Sequence, residues 1–301
     1  MKFSLWSSDR SWQSVVDTAR FAERTGWHAL WFADHFMPQS PDDSANEGPI
    51  LECWSVLAGI AAVVPRIRLT SMVSPVTIHH PVVLAKRATT VDQISGGRVV
   101  LGIGAGWQVN EHAAYGFPLP PAGQRVARFA EAIEVIHHLL NEPTSTVEGQ
   151  FYRVTDAPFE PKPVQQRLPI LVGTGSPRMM RLTARWADEW NTWGNPTQLA
   201  ERTALFRQAC DVQGRDPDSV RRSAQALIFL TDSDAERDRV RAVAPADRSL
   251  VGRASELIDL LGQYVELGID EFGVPDFTLG TSSEQKLHAY ERIRSEVLSA
   301  F

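Results

Sequence analysis

Patterns of buried strand and amphipathic helix alternate along this chain from one end to the other, joined by glycine, proline and small polar residues. The clearest unit is Thr89–Gly116, TTVDQISGGRVVLGIGAGWQVNEHAAYG. Val91 and Ile94 close an apolar helix face, and Gly96-Gly97 supply a left-handed C-cap. Arg98–Ile103 is apolar almost throughout, which suits a parallel strand covered on both faces. Gly102, Gly104 and Gly106 then remove side chains where the strand opens into a loop. A glycine run alone can be an ordinary tight turn. Its position at the end of a buried strand makes this one a candidate cradle for a ligand.

The unit recurs. Lys2–Ser7 reads as a strand and Ser11–Thr25 as a helix stopped by Gly26. His28–Ala33 and Ile67–Ser74 read as the next strands, with the helix Ile50–Val64 between them. Pro81 opens the helix Pro81–Ser95 at a first turn, where its missing N–H costs nothing. Gly123–Asn141 follows as a helix. Glu142–Pro163 breaks the rhythm with two short β-like pieces, Val147–Arg153 among them, and reads as an insertion over residues 142–165. Pro169–Gly173, Asp188–Trp193, Ser223–Leu230 and Glu271–Pro275 complete the strands. Helices are expected after Ser176-Pro177, over Thr197–Gln213 and Arg253–Leu267, and over Glu284–Ala300 behind a Ser282/Gln285 capping box. Eight β/α units in 301 residues predict an α/β fold, a (β/α)8 TIM barrel, as one domain over 1–301 with a variable loop at 232–250.

Composition narrows the chemistry. The longest apolar runs, such as Leu57–Val64, are too short to span a bilayer, and Met1–Arg10 lacks the apolar core of a secretory signal. Two cysteines, Cys53 and Cys210, argue against a disulfide scaffold or a cysteine-rich metal site, and the expected compartment is the cytoplasm. A net charge of -6 offers no general attraction to nucleic acid or anionic lipid.

In a TIM barrel, catalytic groups sit at the C-terminal ends of the strands. Those ends are Trp6-Ser7, Asp34-His35-Phe36, Ser71–Ser74, Gly104–Trp107, Gly173–Ser176 and Asn191–Trp193. The only lysines are Lys2, Lys86, Lys162 and Lys286, none of them at a strand end, so Schiff-base chemistry is not expected. No pair of histidines with carboxylates is expected to assemble there, and no metal site is expected. His79-His80 and His137-His138 lie at a helix entry and within a helix, where neighbouring side chains diverge. Gly173-Thr174-Gly175-Ser176 leads from a strand into a helix N-terminus, an arrangement that serves as a capped turn or as an anion site. Trp6, Trp31, Trp107, Trp190 and Trp193 lie at or near strand ends, as barrel core or as the lining for a flat ring.

These residues together resemble the luciferase-like monooxygenase superfamily, in its branch of oxidoreductases that use the 8-hydroxy-5-deazaflavin coenzyme F420. The matching pieces are Trp31–Phe36, Leu51–Pro81, Leu84–Gly116, Glu148–Val154, Pro161–Gln165 and Pro169–Asn191. The resemblance implies hydride transfer between F420 and a small-molecule substrate. It places Asp34-His35 beside the reactive face of the deazaflavin, and Ser71-Met72 where the family often has a non-prolyl cis peptide behind the ring. Ala105, Gly106 and Asn110 match the loop that holds the coenzyme's side chain, and Gly173, Thr174 and Gly175 match its phosphate site.

One position departs from the pattern. The branch's sugar-phosphate dehydrogenase has a catalytic glutamate where this chain has Trp107, and no lysine cluster is present for a substrate phosphate. The expected catalytic residues are His35, as proton donor or acceptor, and Asp34. Imidazole titrates near neutral pH, which suits a proton handler. A strand-end histidine also serves packing or a hydrogen bond, and Glu52, Glu111 and His112 are near enough to substitute. Two other readings stay open: an FMN-dependent monooxygenase of the same superfamily, which would need a reductase partner, and a non-catalytic flavin or deazaflavin carrier. A homodimer is open as well.

Overall fold

The computed structural model describes residues 1–301. Its first half runs β1 (Lys2–Ser7), α1 (Trp12–Thr25), β2 (Ala29–Phe32), α2 (Cys53–Val63), β3 (Arg68–Ser71), the two-residue β4 (Ser74–Pro75), α3 (Pro81–Ser95), β5 (Val99–Gly104), α4 (Val109–Tyr115) and α5 (Ala122–Asn141). A hairpin, β6 (Thr144–Glu148) with β7 (Arg153–Pro158), separates the halves. The second half runs β8 (Ile170–Gly173), α6 (Pro177–Trp186), β9 (Glu189–Trp193), α7 (Pro196–Gln213), β10 (Arg221–Gln225), β11 (Leu227–Leu230), α8 (Asp234–Arg241), β12 (Ser249–Gly252), α9 (Ala254–Glu266), β13 (Glu271–Pro275) and α10 (Ser283–Glu296).

Parallel pairing runs β3-β2-β1-β13-β10-β9-β8-β5, and β5 pairs back on β3, so eight strands close into a barrel. It is the expected (β/α)8 barrel. Local chemistry explains the units: Gly26 takes φ 82° and its N–H caps Ala22, and Ser11 accepts from the Ser14 amide at the other end of α1. Every residue of β5 is buried, as its unbroken apolar sequence requires.

Three elements differ from the sequence reading. The strand expected over Ser223–Leu230 breaks at Ala226: β10 stays in the barrel wall, while β11 leaves it and pairs with β12 in a separate two-stranded sheet. The 232–250 segment is therefore not all loop, because it carries α8 and the start of β12. The glycine-rich stretch after β5 leads into the short helix α4, so Asn110 and Glu111 are helical.

The barrel interior is layered. At the bottom, buried Glu271 accepts from Ser4 Oγ and from Trp31 Nε1 (3.1 Å) and pairs with Arg221 at 3.0 Å. Arg68 bridges Glu189 and Glu271. Above this layer sit Trp6, Trp31, Met72, Val100 and Leu171. Gly273 is required there, since any Cβ would run into the Trp31 ring. The closed, filled lower barrel leaves its upper mouth as the place where a ligand can meet functional groups. No helix is long and apolar enough to cross a membrane.

Candidate functional site

Two histidine–carboxylate pairs stand at the mouth, contrary to the expectation that none would assemble there. Asp34 and His35 follow β2 directly. Asp34 is buried, and its Oδ2 accepts from Ser74 Oγ at 2.5 Å and from His79 Nε2 at 2.9 Å. The His79 Nδ1 faces Arg87 Nη1 at 3.2 Å, and because an arginine can only donate, Nδ1 accepts and the ring proton lies on Nε2. Burial pushes the Asp34 carboxyl up, but the hydrogen bonds from His79 and Ser74 outweigh it, leaving it below the usual range. Asp34 Oδ1 is buried with no partner.

His35 is built differently. Its Nδ1 lies 2.8 Å from Oε1 of Glu111, whose Oε2 accepts the Phe36 amide, also at 2.8 Å. Glu111 is fully buried, while the His35 side chain keeps 20% of its surface exposed. A carboxylate only accepts, so Nδ1 carries the proton and Nε2 is left as the exchangeable position. Trp107, half exposed, sits edge-on to the His35 ring with centroids 5.7 Å apart.

The glycines gather around one side chain. A Cβ on Gly104 would lie 2.8 Å from Val73, and one on Gly173 would lie 3.2 Å from it. The non-prolyl cis peptide is Met72-Val73, one residue later than the Ser71-Met72 expected from the family. Ser71 Oγ donates to Gly102 O and accepts from Gly102 N, both at 3.0 Å, which commits it to the β3–β5 seam. Met72 packs into the barrel interior. Val73 is the residue left partly exposed beside Gly104 and Gly173.

Other expected site residues are also accounted for. Ala105 is half buried, and Gly106 takes φ 86° against Thr77. Asn110 is buried and donates to the carbonyls of Pro38 (2.9 Å) and Ser44 (3.2 Å), while its Oδ1 accepts the Glu111 amide. Its side chain tethers the 38–44 loop and is not free for a ligand. His112 is likewise engaged, by Gln108 O and Thr77 Oγ1, and Glu52 caps α2.

At the far side, Gly173-Thr174-Gly175 feeds into Ser176, whose hydroxyl caps α6 through the Met179 amide. The Thr174 amide and hydroxyl are taken by Asn191 O and the Ser176 amide. A Cβ on Gly175 would lie 3.1 Å from Nε of Arg202, which reaches back from α7 and is anchored by the Trp193 carbonyl.

Sequence reasoning missed His79, Arg202 and the pairing role of Glu111. The adjacent pair His79-His80 ahead of Pro81 carried the signal for the first, since two diverging neighbours at a helix entry can send one side chain inward. Nothing local to Arg202 announces that it folds back over a glycine from another unit.

The barrel, the glycine-lined mouth and the polar pairs at the strand ends define a ligand-binding TIM-barrel protein. The luciferase-like monooxygenase family model matches residues 1–251, and the chain belongs to that family. It is 31% identical over 226 residues to the F420-dependent glucose-6-phosphate dehydrogenase of Kineococcus radiotolerans, covering 74% of this chain and 65% of that enzyme. It is also 31% identical over 287 residues to an uncharacterized protein of Mycobacterium tuberculosis, covering 90% of each. The structure of the coenzyme F420-dependent tetrahydromethanopterin reductase from Methanopyrus kandleri superposes with a TM-score of 0.81 at 18% identity, over 100% of this chain and 99% of that one.

Proposed function

We propose that the protein is an oxidoreductase that moves a hydride between coenzyme F420 and a small organic substrate, with His35 handling the accompanying proton. The observation that carries this reading is the His35–Glu111 pair: a buried carboxylate fixes Nδ1 and leaves Nε2 for exchange at the barrel mouth. The names of relatives such as the K. radiotolerans dehydrogenase support F420 as the coenzyme.

The residues present suit that coenzyme. Val73, set among Gly104 and Gly173, offers a flat apolar support for a ring. Gly175, the first turn of α6 and Arg202 offer amides and a cation for a phosphate. Asp34 Oδ1, buried without a partner, is an acceptor for a ring N–H or hydroxyl. When bound, F420 supplies two-electron hydride chemistry at a ring carbon.

Each hydride added to the substrate requires one proton, and each hydride removed releases one. His35 Nε2 gives or takes that proton, and Glu111 holds the ring so that Nε2 faces outward. Glu111 is therefore a positioning residue. Asp34, His79 and Arg87 keep the neighbouring strand end fixed and charged. Positioned acid–base groups of this kind contribute about 10²–10⁴ in rate.

The decisive experiment titrates purified protein with F420 and with FMN by fluorescence, then follows oxidation of reduced F420 with a screen of small alcohols, aldehydes and activated alkenes. F420 is expected to bind at least ~10-fold more tightly than FMN, a gap of about 1.4 kcal/mol. Tight FMN binding with oxygen consumption, and no hydride exchange with F420, would overturn the reading in favour of a monooxygenase.

A further inference from the structure

The mouth has a second lining that the proton and coenzyme groups do not use. Trp6, one residue before the end of β1, is buried in the barrel interior, Trp193 ends β9, and Phe277 follows β13 in a single helical turn. Their rings meet across the opening: Trp6 lies 5.2 Å from Phe277 and 5.4 Å from Trp193, and Trp193 lies 6.4 Å from Phe277. β1 and β9 are not neighbours in the barrel, so these rings reach over β13 and β10 and do not simply pack within one seam. Phe277 is 48% exposed, although a phenyl ring gains by leaving water.

The charges behind this cluster are spoken for. Lys286, expected to lie away from the strand ends, reaches them from α10. It pairs with Asp276 at 2.8 Å and Asp9 at 3.6 Å, and donates to Ser8 Oγ at 3.1 Å. Asp9 and Asp276 enclose that ammonium, so it is not free for an anionic ligand. Burial raises the Asp276 carboxyl despite the Lys286 charge, and its Oδ1 has no partner. Asp34 and Glu111 add two buried carboxyl groups across the opening. A phosphate or carboxylate entering here would meet aromatic faces and carboxyl groups, with no uncommitted lysine. Arg202 stands with the Gly173–Gly175 turn, on the coenzyme side.

We propose that Trp193 and Phe277, backed by the buried Trp6, form the substrate wall of the mouth and that it takes an uncharged, ring-bearing organic molecule, not a phosphorylated or carboxylated one. This deepens the hydride-transfer reading and rests on the same mouth being the site. Aromatic faces stack on a ring with an offset or edge-on preference and gain most when both partners leave water. A charged substituent would have to lose its hydration with nothing to replace it. The substrate of the K. radiotolerans relative, glucose 6-phosphate by that enzyme's name, falls outside this class.

Ligand-observed NMR on the F420-loaded protein, with acetophenone, benzoate and glucose 6-phosphate as probes, tests the wall directly. Acetophenone is expected to bind saturably, with benzoate and glucose 6-phosphate at least tenfold weaker. Phe277→Ala should weaken acetophenone fivefold or more, and Phe277→Leu should restore part of the loss. Because Phe277 is half exposed, both variants are expected to fold, and thermal melts check that. Benzoate or glucose 6-phosphate binding as tightly as acetophenone would overturn the proposal. So would acetophenone that never saturates or that ignores Phe277→Ala. If F420 fails to bind while the probe order holds on the unloaded protein, the hydride-transfer reading falls and the wall stands.

Discussion

Glutamine at position 111 would keep the shape of the buried side chain and remove its charge. Glu111 now accepts two hydrogen bonds, from His35 Nδ1 and from the Phe36 amide, each at 2.8 Å. A glutamine has one oxygen and one NH2. The Phe36 amide is a fixed donor, so the amide oxygen must turn to it and the NH2 must face His35. His35 can satisfy that NH2 only by accepting at Nδ1, which moves its own proton to Nε2. The second N–H of the buried amide is left without a partner, so stability should fall by about 1–3 kcal/mol, the cost of one unsatisfied buried donor. The neutral ring, however, is in the wrong tautomer, with no free lone pair at Nε2. Turnover should drop by about 10²–10⁴ while F420 affinity stays within a few-fold.

The assay is steady-state oxidation or reduction of F420 with a substrate found by the screen, run on Glu111→Gln, His35→Ala and the double variant. If Glu111 acts through His35, the second substitution should add little to the first. Nitrogen-15 NMR of the imidazole should show the proton moving from Nδ1 to Nε2. Equal losses from Glu111→Gln with and without His35 would refute the dyad, as would parental turnover in Glu111→Gln.

Three further outcomes are expected. Gly106→Ala places a Cβ at φ 86° and into Thr77, so chemical denaturation should show a loss of at least about 1–2 kcal/mol; a loss under about 0.5 would contradict the packing. Arg202→Gln should weaken F420 about 10- to 100-fold, the loss of one charge-assisted phosphate bond, and an unchanged titration would remove Arg202 from the phosphate site. His28 accepts from Arg221 at 3.0 Å, and burial followed by the charges of Arg221, Lys2 and Arg68 lowers its pKa to about 3. The unfolded chain then binds the extra proton first, so stability is full above the ordinary histidine range and is lost as pH falls from about 6.5 towards 3. The slope is at most about 1.4 kcal/mol per pH unit, less for a partly exposed ring, and urea melts of His28→Asn should be flatter across that window.

The barrel was legible because its determinants are local. Gly26, Gly96 and Gly214 each mark a helix end, and Pro81 and Pro177 each mark a helix start, so units could be counted without knowing how they pack. The break at Ala226 was not legible, since Ala226–Leu230 continues the strand with an apolar run straight past the point where the chain leaves the barrel. Whether a strand pairs with β13 or with β12 is decided by partners far away in sequence. The helix Asp234–Arg241 was missed for a related reason: none of its side chains is fully buried, so it lacks the apolar stripe that periodicity detects. In the site, Asp34 and His35 could be read at a strand end, and the Gly173–Gly175 turn could be read as a cap. The position of the cis bond could not, because nothing in the local sequence separates Met72-Val73 from Ser71-Met72.

The two histidine–carboxylate pairs resemble each other in composition, and only their remaining bonds separate their roles. His79 is closed at both nitrogens, by Asp34 on one side and Arg87 on the other, and little of it reaches solvent. It cannot pass a proton without breaking one of those bonds, so it serves to hold Asp34 and keep it ionised. His35 is closed at Nδ1 alone. Asp34 has the matching asymmetry, with two donors on Oδ2 and none on Oδ1. A buried carboxylate oxygen without a donor is costly in the free protein. A ligand that brings an N–H or O–H to Oδ1 recovers that cost on binding. The end of β2 thus leaves one imidazole nitrogen of His35 open and one carboxylate oxygen of Asp34 unpaired on successive residues, the first fixed by Glu111 of α4 and the second by Ser74 and His79 ahead of α3. In the hydride-transfer reading we propose, that division gives ligand anchoring to Asp34 and proton transfer to His35.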